Sequence, residues 1–360
     1  AALAHADAVA AAADAAGTAL AGLGVRDAFA PADFTDLAGR IQVMGPVAPP
    51  PVPSGEDPAQ VAVWWSGLSA GARLAVLRAR PAAVGSLDGV PAWARDRANR
   101  LLLDRARRHG RTPRATGTAR AVAERIAIEE AAGRPVQLHA LDLEAEEVVL
   151  VLGDLDTADA VGVLVPGINN SPDDLPRLVG DAGDVAEVAR AAGPGLEIAT
   201  VVWLGYASPQ LPKDRPSRSV AVKGGQKLAA ALEGMAAARV AARLPQARTS
   251  VLAHSFGTVV VDEAADVPGR LAADAVVLLG SPGMEPEGAE SLEAPDVYDA
   301  WSAADPVSYG VLLGSPTWVD WYGSTGLPNS HLMTHSDYYD GDFPTLGAIG
   351  AVVAGARVPD

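Results

Sequence analysis

Ser255 lies in the stretch "VLAHSFGTVV", one hydroxyl between two apolar runs. A serine becomes a nucleophile when a neighbouring base takes its proton and a third group holds that base in place. The residues Ala253-His254-Ser255-Phe256-Gly257 have the outline of a sharp strand-to-helix turn, which raises the hydroxyl above the carboxyl edge of a sheet. Such a turn needs small residues two positions before and two after the serine, where strand and helix approach. Gly257 meets the second demand, and Ala253 adds only a methyl at the first. The competing reading is a serine that caps a helix and does nothing more.

A nucleophile of this kind is followed along the chain by its acid and then by its histidine. Of the six histidines, His5, His109 and His139 precede the turn, and His254 adjoins the serine but points elsewhere. His331 and His335 remain, both in "LPNSHLMTHSDYYDGD". His335 is favoured as the base, with His331 as its rival. The acid belongs after the second strand that follows the nucleophile, and "VYDAWSAADPV" offers Asp305 directly before Pro306, where the chain must turn. Asp296 precedes that strand, Asp299 lies inside it and Asp320 comes too late. Asp305 is therefore expected to orient His335 and to stabilise its imidazolium. Two backbone N–H groups are also needed for the oxyanion. Phe256, next to the nucleophile, supplies one. The loop "LVPGINNSPDDL" supplies the other through Ile168, with Asn169 as an alternative and Gly167 permitting close approach. Read blandly, that loop is only a turn rich in turn-forming residues.

These groups need a sheet to hold them. From about Arg134 the sequence alternates or runs apolar in short stretches: "VQLHALDLE", "EVVLVLGDL", "AVGVLVPG", "LEIATVVWLG", "RTSVLAHS", "DAVVLLGSPG" and "VYDAWSAADPV". Helical stretches separate most of them, chiefly "PDDLPRLVGDAGDVAEVARAAG", "SVAVKGGQKLAAALEGMAAARVAARL" and the short "GTVVVDEAADV". That alternation predicts a mostly parallel sheet covered by helices on both faces, with the first two strands an antiparallel hairpin at its edge. Upstream, "AALAHADAVAAAADAAGTALAGLG" favours helix by its alanine content. "MGPVAPPPVPSGEDP" reads as an extended linker. Short helices follow, in which the basic "RDRANR" is expected to form a solvated or salt-bridged face. The expected organisation is a helical N-terminal region over residues 1–130, with a Pro-rich linker near 44–58, and a catalytic domain over 131–360.

In that order, "LVPGINN", "ATVVWLGYASPQ", "VLAHSFGT", "VVLLGSPG", "AADPV" and "HSDYY" resemble an actinobacterial α/β-hydrolase family of unknown function, the DUF1023 group. The likeness runs from roughly Val61 to Gly355 and includes the upstream "WWSGLS" and "RPAAVGSLDGVPAWARDRANRLLL". It implies an α/β-hydrolase fold and Ser255, Asp305 and His335 as a triad. That family's turn usually reads G-H-S-Y-G, so this chain departs from it at Ala253 and Phe256. The resemblance implies no substrate.

Composition narrows the partners. A net charge of −16 argues against nucleic acid and anionic membranes, and favours a neutral or hydrophobic, lipid-like ester over an anionic one. No apolar run is long enough to predict a membrane span. Cysteine is absent, which removes a thiol nucleophile and leaves the compartment open, cytoplasmic or secreted. "HLMTH" spaces two histidines as a helix would for a metal, yet no third ligand is evident, and no phosphate-binding glycine loop occurs. Neither metal nor cofactor is expected. Trp203, Tyr206, Trp318, Trp321 and Met333 are candidate pocket walls or plain core. The expected activity is a serine esterase. The alternatives are an amidase or peptidase with the same triad, or a binding protein that keeps the fold without the chemistry.

Overall fold

The computed structural model describes residues 48–358 except 56, 111, 215, 286, 287 and 311. The expected N-terminal helix, the first part of the Pro-rich linker and His5 lie outside the described residues. The chain divides into two compact units, and residues 68–79 fall in a different one from residues 52–67 and those from 80 onward. In the first unit, helix α2 (Ala70–Ala79) buries Val76 and Leu77. The second unit holds the sheet and all the candidate site residues.

That unit begins with helices α1 (Pro58–Gly67), α3 (Pro81–Gly85), α4 (Ala92–His109) and α5 (Pro113–Ala131). Local chemistry sets where they start. The Thr112 hydroxyl accepts the Ala115 N–H at 3.0 Å, and Pro113 follows at the first helical position, where a missing N–H is harmless. Asp156 caps α4 from a distance by accepting the Ala92 and Trp93 N–H groups at 3.0 and 2.8 Å. Burial pushes that carboxyl up to about 6, with the nearby Asp154 adding to it and the two N–H groups opposing.

The eight-stranded sheet runs β1 (Val136–Asp142), β2 (Glu147–Leu152), β4 (Ile198–Leu204), β3 (Ala160–Val165), β5 (Arg248–His254), β6 (Ala275–Leu279), β7 (Asp296–Ala300), β8 (Thr325–Gly326). The pair β1–β2 is antiparallel, as expected of the hairpin; β2–β4 is antiparallel too, and the rest are parallel. Helices α6 (Leu175–Ala192), α7 (Arg218–Ala242), α8 (Phe256–Ala265), α9 (Pro306–Gly310) and α10 (Pro344–Ala354) complete the unit. This is the α/β-hydrolase fold.

Strand residues divide between two cores with a period of two. Leu150, Leu164, Leu252 and Val277 face one cluster with α6 and α10, while Val151, Val163, Val251 and Val276 face the other with α7 and α8. Each such side chain fully buried contributes roughly 1.5–3 kcal/mol, which is why the central strands read as continuous apolar runs. "RDRANR" keeps the expected salt bridges, Arg95 with Asp88 and Arg100 with Asp96, but part of it is buried rather than solvated. Arg95 and Asn99 are buried, and their N–H groups reach the Leu138 and His139 carbonyls where the β1 register shifts. Asp96 accepts the Leu138 N–H at 2.7 Å and pairs with Arg100, whose guanidinium also reaches the Val136 carbonyl. The stretch is a latch on an irregular strand, and its polarity serves the backbone groups that the irregularity leaves unpaired.

Candidate active site

Ser255 follows the last residue of β5 and precedes the first of α8. Its backbone lies at φ 56° and ψ −128°, a region that residues with a side chain rarely occupy. The packing around it enforces the turn. A Cβ on Gly257 would lie 2.2 Å from the Val165 carbonyl oxygen, so only glycine fits two positions after the serine. Two positions before it, Ala253 is fully buried between Val165 and Leu278 of the neighbouring strands, and its methyl is accommodated. The Ser255 N–H donates to Leu279 at 2.9 Å. Its side chain makes no capping bond to α8.

Instead, the Ser255 hydroxyl lies 2.8 Å from His335 Nε2, and His335 Nδ1 lies 2.9 Å from Asp305 Oδ2. Ser255 and Asp305 are buried, whereas His335 keeps 28% of its side chain exposed. Asp305 sits at the start of α9, where its Oδ1 accepts the Val307 N–H at 2.9 Å. Burial pushes its carboxyl up, but hydrogen bonds from His335, Tyr338 and the Val307 N–H outweigh this and hold it below the ordinary value. His331 is exposed, and both histidines of "HLMTH" lie in turns rather than on a helix. Asp296 pairs with Arg248 at 3.1 Å, and Asp299 is buried within β7.

Three residues in this arrangement were not singled out by the sequence. The Tyr338 hydroxyl donates to Asp305 Oδ2 at 2.7 Å, sharing that oxygen with His335. Burial, with the neighbouring Asp305 charge, holds the Tyr338 phenol far above its usual range, so it serves as a donor throughout. His254 sends Nε2 to the main-chain carbonyl of His335 at 2.7 Å, and the two rings lie 4.7 Å apart. Burial and the adjacent His335 push His254 down to about 3, so it is a neutral strut for the histidine loop. Gly280 has φ +56°, and a Cβ there would meet the Tyr338 ring at 2.7 Å and Asp305 Oδ2 at 2.8 Å. "HSDYY" places Tyr338 near His335 in sequence, but nothing in the spacing tells which tyrosine turns inward.

The loop after β3 is tied down through its acceptors. Tyr206 donates to the Pro166 carbonyl at 2.7 Å, Ser208 to Gly167 at 2.9 Å, and Asn170 to Ile168 at 2.9 Å. The Asn169 N–H is spent on Pro209 at 2.9 Å, which leaves it nothing to offer an oxyanion. The N–H groups of Ile168 and Phe256 have no acceptor among the described residues. Gly167 comes close enough to Ser255 that a Cβ would lie 2.6 Å from the serine Cβ. Trp203 and Tyr206 are buried and stacked at 6.0 Å, with Phe256 packed 6.4 Å from Tyr206; they support this loop from behind. Met333 is core, Trp321 is exposed and Trp318 stacks on Trp301.

A family model described as alpha/beta hydrolase (Abhydrolase_8) matches residues 143–315. Two uncharacterized proteins of Mycobacterium tuberculosis strains, MT2140 and Rv2079, are each 28% identical over 71% of this chain and 44% of their own length. The chain thus spans less than half the length of the curated relatives it matches. Similar solved structures include the esterase LipW from Mycobacterium marinum, at 14% identity and TM-score 0.39 over 68% of this chain and 89% of that one. Another is the poly(3-hydroxybutyrate) depolymerase LpqC from Bordetella parapertussis, at 14% identity and TM-score 0.40 over 66% and 95%. Among the described residues no helix is long and apolar enough to cross a membrane.

Proposed function

We propose that the protein is a serine hydrolase that cleaves neutral or hydrophobic carboxylic esters through an acyl-enzyme at Ser255. The observation that carries this reading is the continuous chain Ser255–His335–Asp305, with 2.8 and 2.9 Å links, on a strained strand-to-helix turn. In the reaction His335 takes the Ser255 proton as the hydroxyl attacks the ester carbonyl. Asp305 holds the ring and stabilises the imidazolium. The N–H groups of Phe256 and Ile168 receive the negative oxygen, and His335 then protonates the departing alcohol. Water repeats the sequence to release the acid. The segment likeness to the actinobacterial group is consistent with this chemistry.

Two features favour an uncharged, apolar substrate. The net charge is −16. Leu211, Tyr309, Leu312 and Leu332 are exposed on the segments that flank the oxyanion loop, Asp305 and His335. A fluorophosphonate probe should label the wild type and leave Ser255→Ala unlabelled; equal labelling of the two would end the assignment. A series of p-nitrophenyl esters of rising chain length should then be hydrolysed faster than the matching anilides. The reverse order would make the protein an amidase.

A further inference from the structure

On the β7–β8 side of the sheet lies a cavity of about 170 Å³, lined by Asp299, Trp301, Trp318, Asp320, Ser324 and Asn329 among others. The Trp301 and Trp318 rings stack with centroids 4.4 Å apart and planes 22° from parallel. Several of the donors here are already spent. Trp318 Nε1 donates to the Ser308 carbonyl at 3.2 Å, and the Ser324 hydroxyl to Thr317 at 2.6 Å. The wall therefore offers mainly carboxylate oxygens and indole surface. Among the described residues no basic side chain lines it.

Asp299 is the unusual member. It is 2% exposed, and its Oδ2 accepts a hydrogen bond from the Thr317 hydroxyl. Its Oδ1 has no partner, and among the described residues it is the one buried carboxylate oxygen in that state. Other buried acids are satisfied: Glu129 by Arg125 and Arg134, Asp156 by two helix N–H groups, Asp305 by His335, Tyr338 and Val307. A buried acceptor left bare is costly, and more so when charged, so a group that completes it is favoured.

We infer that this cavity binds a small aliphatic primary amine in its ammonium form. Its N–H donors complete Asp299 Oδ1, its charge answers Asp299 and Asp320, and its first methylenes lie against the indole faces. A quaternary ammonium brings charge without a donor, and a neutral polyol brings donors without charge. Ser255 does not line the cavity, and the inference holds whether or not that serine is a nucleophile. Burial pushes Asp299 up to about 7, with the Thr317 hydrogen bond opposing. The titratable groups that face it are Asp320 across the cavity and the Tyr322 and Tyr338 phenols, whose ionisation the Asp299 charge opposes. Ammonium binding accordingly weakens as pH falls through neutrality.

Calorimetric titration of the full chain carrying Ser255→Ala tests this directly, using propylammonium chloride at pH 8.5 beside tetramethylammonium chloride, potassium chloride and glucose. Propylammonium should bind about tenfold or more tightly than each of the others and lose about as much affinity in Asp299→Asn. Lowering the pH to 5.5 should weaken it about thirtyfold, following the ionised fraction of a group that titrates near 7. Equal affinity for propylammonium and tetramethylammonium, tighter binding of glucose, or indifference to Asp299→Asn would each overturn the assignment. Should Asp299→Asn fail to fold, Trp318→Leu and the pH series on the otherwise unaltered chain decide. Unchanged affinity in both would refute the site.

Discussion

Asp299 and Asp305 leave the same strand and loop, and both are almost wholly buried, at 2% and 0% exposure. Their ionisation nevertheless runs in opposite directions: Asp305 is held below the ordinary carboxylate value, while Asp299 is pushed up to about 7. Burial alone pushes both up. The difference lies in donors, three on Asp305 and one on Asp299. Loss of solvent sets the cost of a buried charge, and the count of N–H and O–H groups aimed at it decides whether the charge survives. One acid is thereby kept ionised for a histidine, and the other is left short of a partner.

The sharpest way to break this contrast is Asp305→Asn. An amide cannot hold His335 in the tautomer that accepts the serine proton, so kcat for an activated ester should fall about 10³–10⁴-fold. A smaller loss would mean that Asp305 does not carry the imidazolium. Next comes stability against pH. A folded pKa raised to about 7 means that Asp299 binds its proton more tightly in the folded state, so stability is highest in acid and declines as pH rises towards 7. Asp305 works oppositely: its contribution is present above the ordinary carboxylate pKa and is lost as pH falls through its lowered folded value. Between pH 5 and pH 8 the Asp299 effect amounts to about 3 kcal/mol. Urea unfolding at the two pH values should show most of that decline in the wild type and much less in Asp299→Asn.

Gly280→Ala probes the donor side, because its methyl would enter the space between the Tyr338 ring and Asp305 Oδ2. A loss of roughly 1–3 kcal/mol in thermal denaturation is expected; none would mean that the loop yields easily. The smallest effect belongs to Tyr338→Phe. Without the phenol, Asp305 Oδ2 serves His335 alone and becomes a stronger acceptor. The kcat for an activated ester should then change about threefold. An unchanged kcat with lowered stability would reduce Tyr338 to packing.

Much of the sheet was legible because its central strands are buried on both faces and read as unbroken apolar runs. The Ser255 turn was legible for a different reason. Strand, small residue and helix follow one another within a few positions, so local spacing carries the geometry. Asp305 and His335 were reachable only through chain order, and the structure brings His335 rather than His331 to the serine. What escaped depends on contacts between distant segments. Tyr338 and Gly280 meet across many residues of chain, and the strut from His254 needs the histidine loop to fold back over β5. The salt bridges of "RDRANR" were legible, but the burial of Arg95 and Asn99 was not, because it depends on main-chain carbonyls of an irregular strand distant in sequence.

That latch also bears on how copies of this chain can associate. An open sheet offers its outer strands as templates on which another chain can add a strand. At β1, α4 side chains already occupy the Val136, Leu138 and His139 carbonyls and the Leu138 N–H. At the far end β8 consists of only Thr325 and Gly326. The first half of β1 is thus covered and β8 is cut short. Adding a strand from another copy is disfavoured at both places.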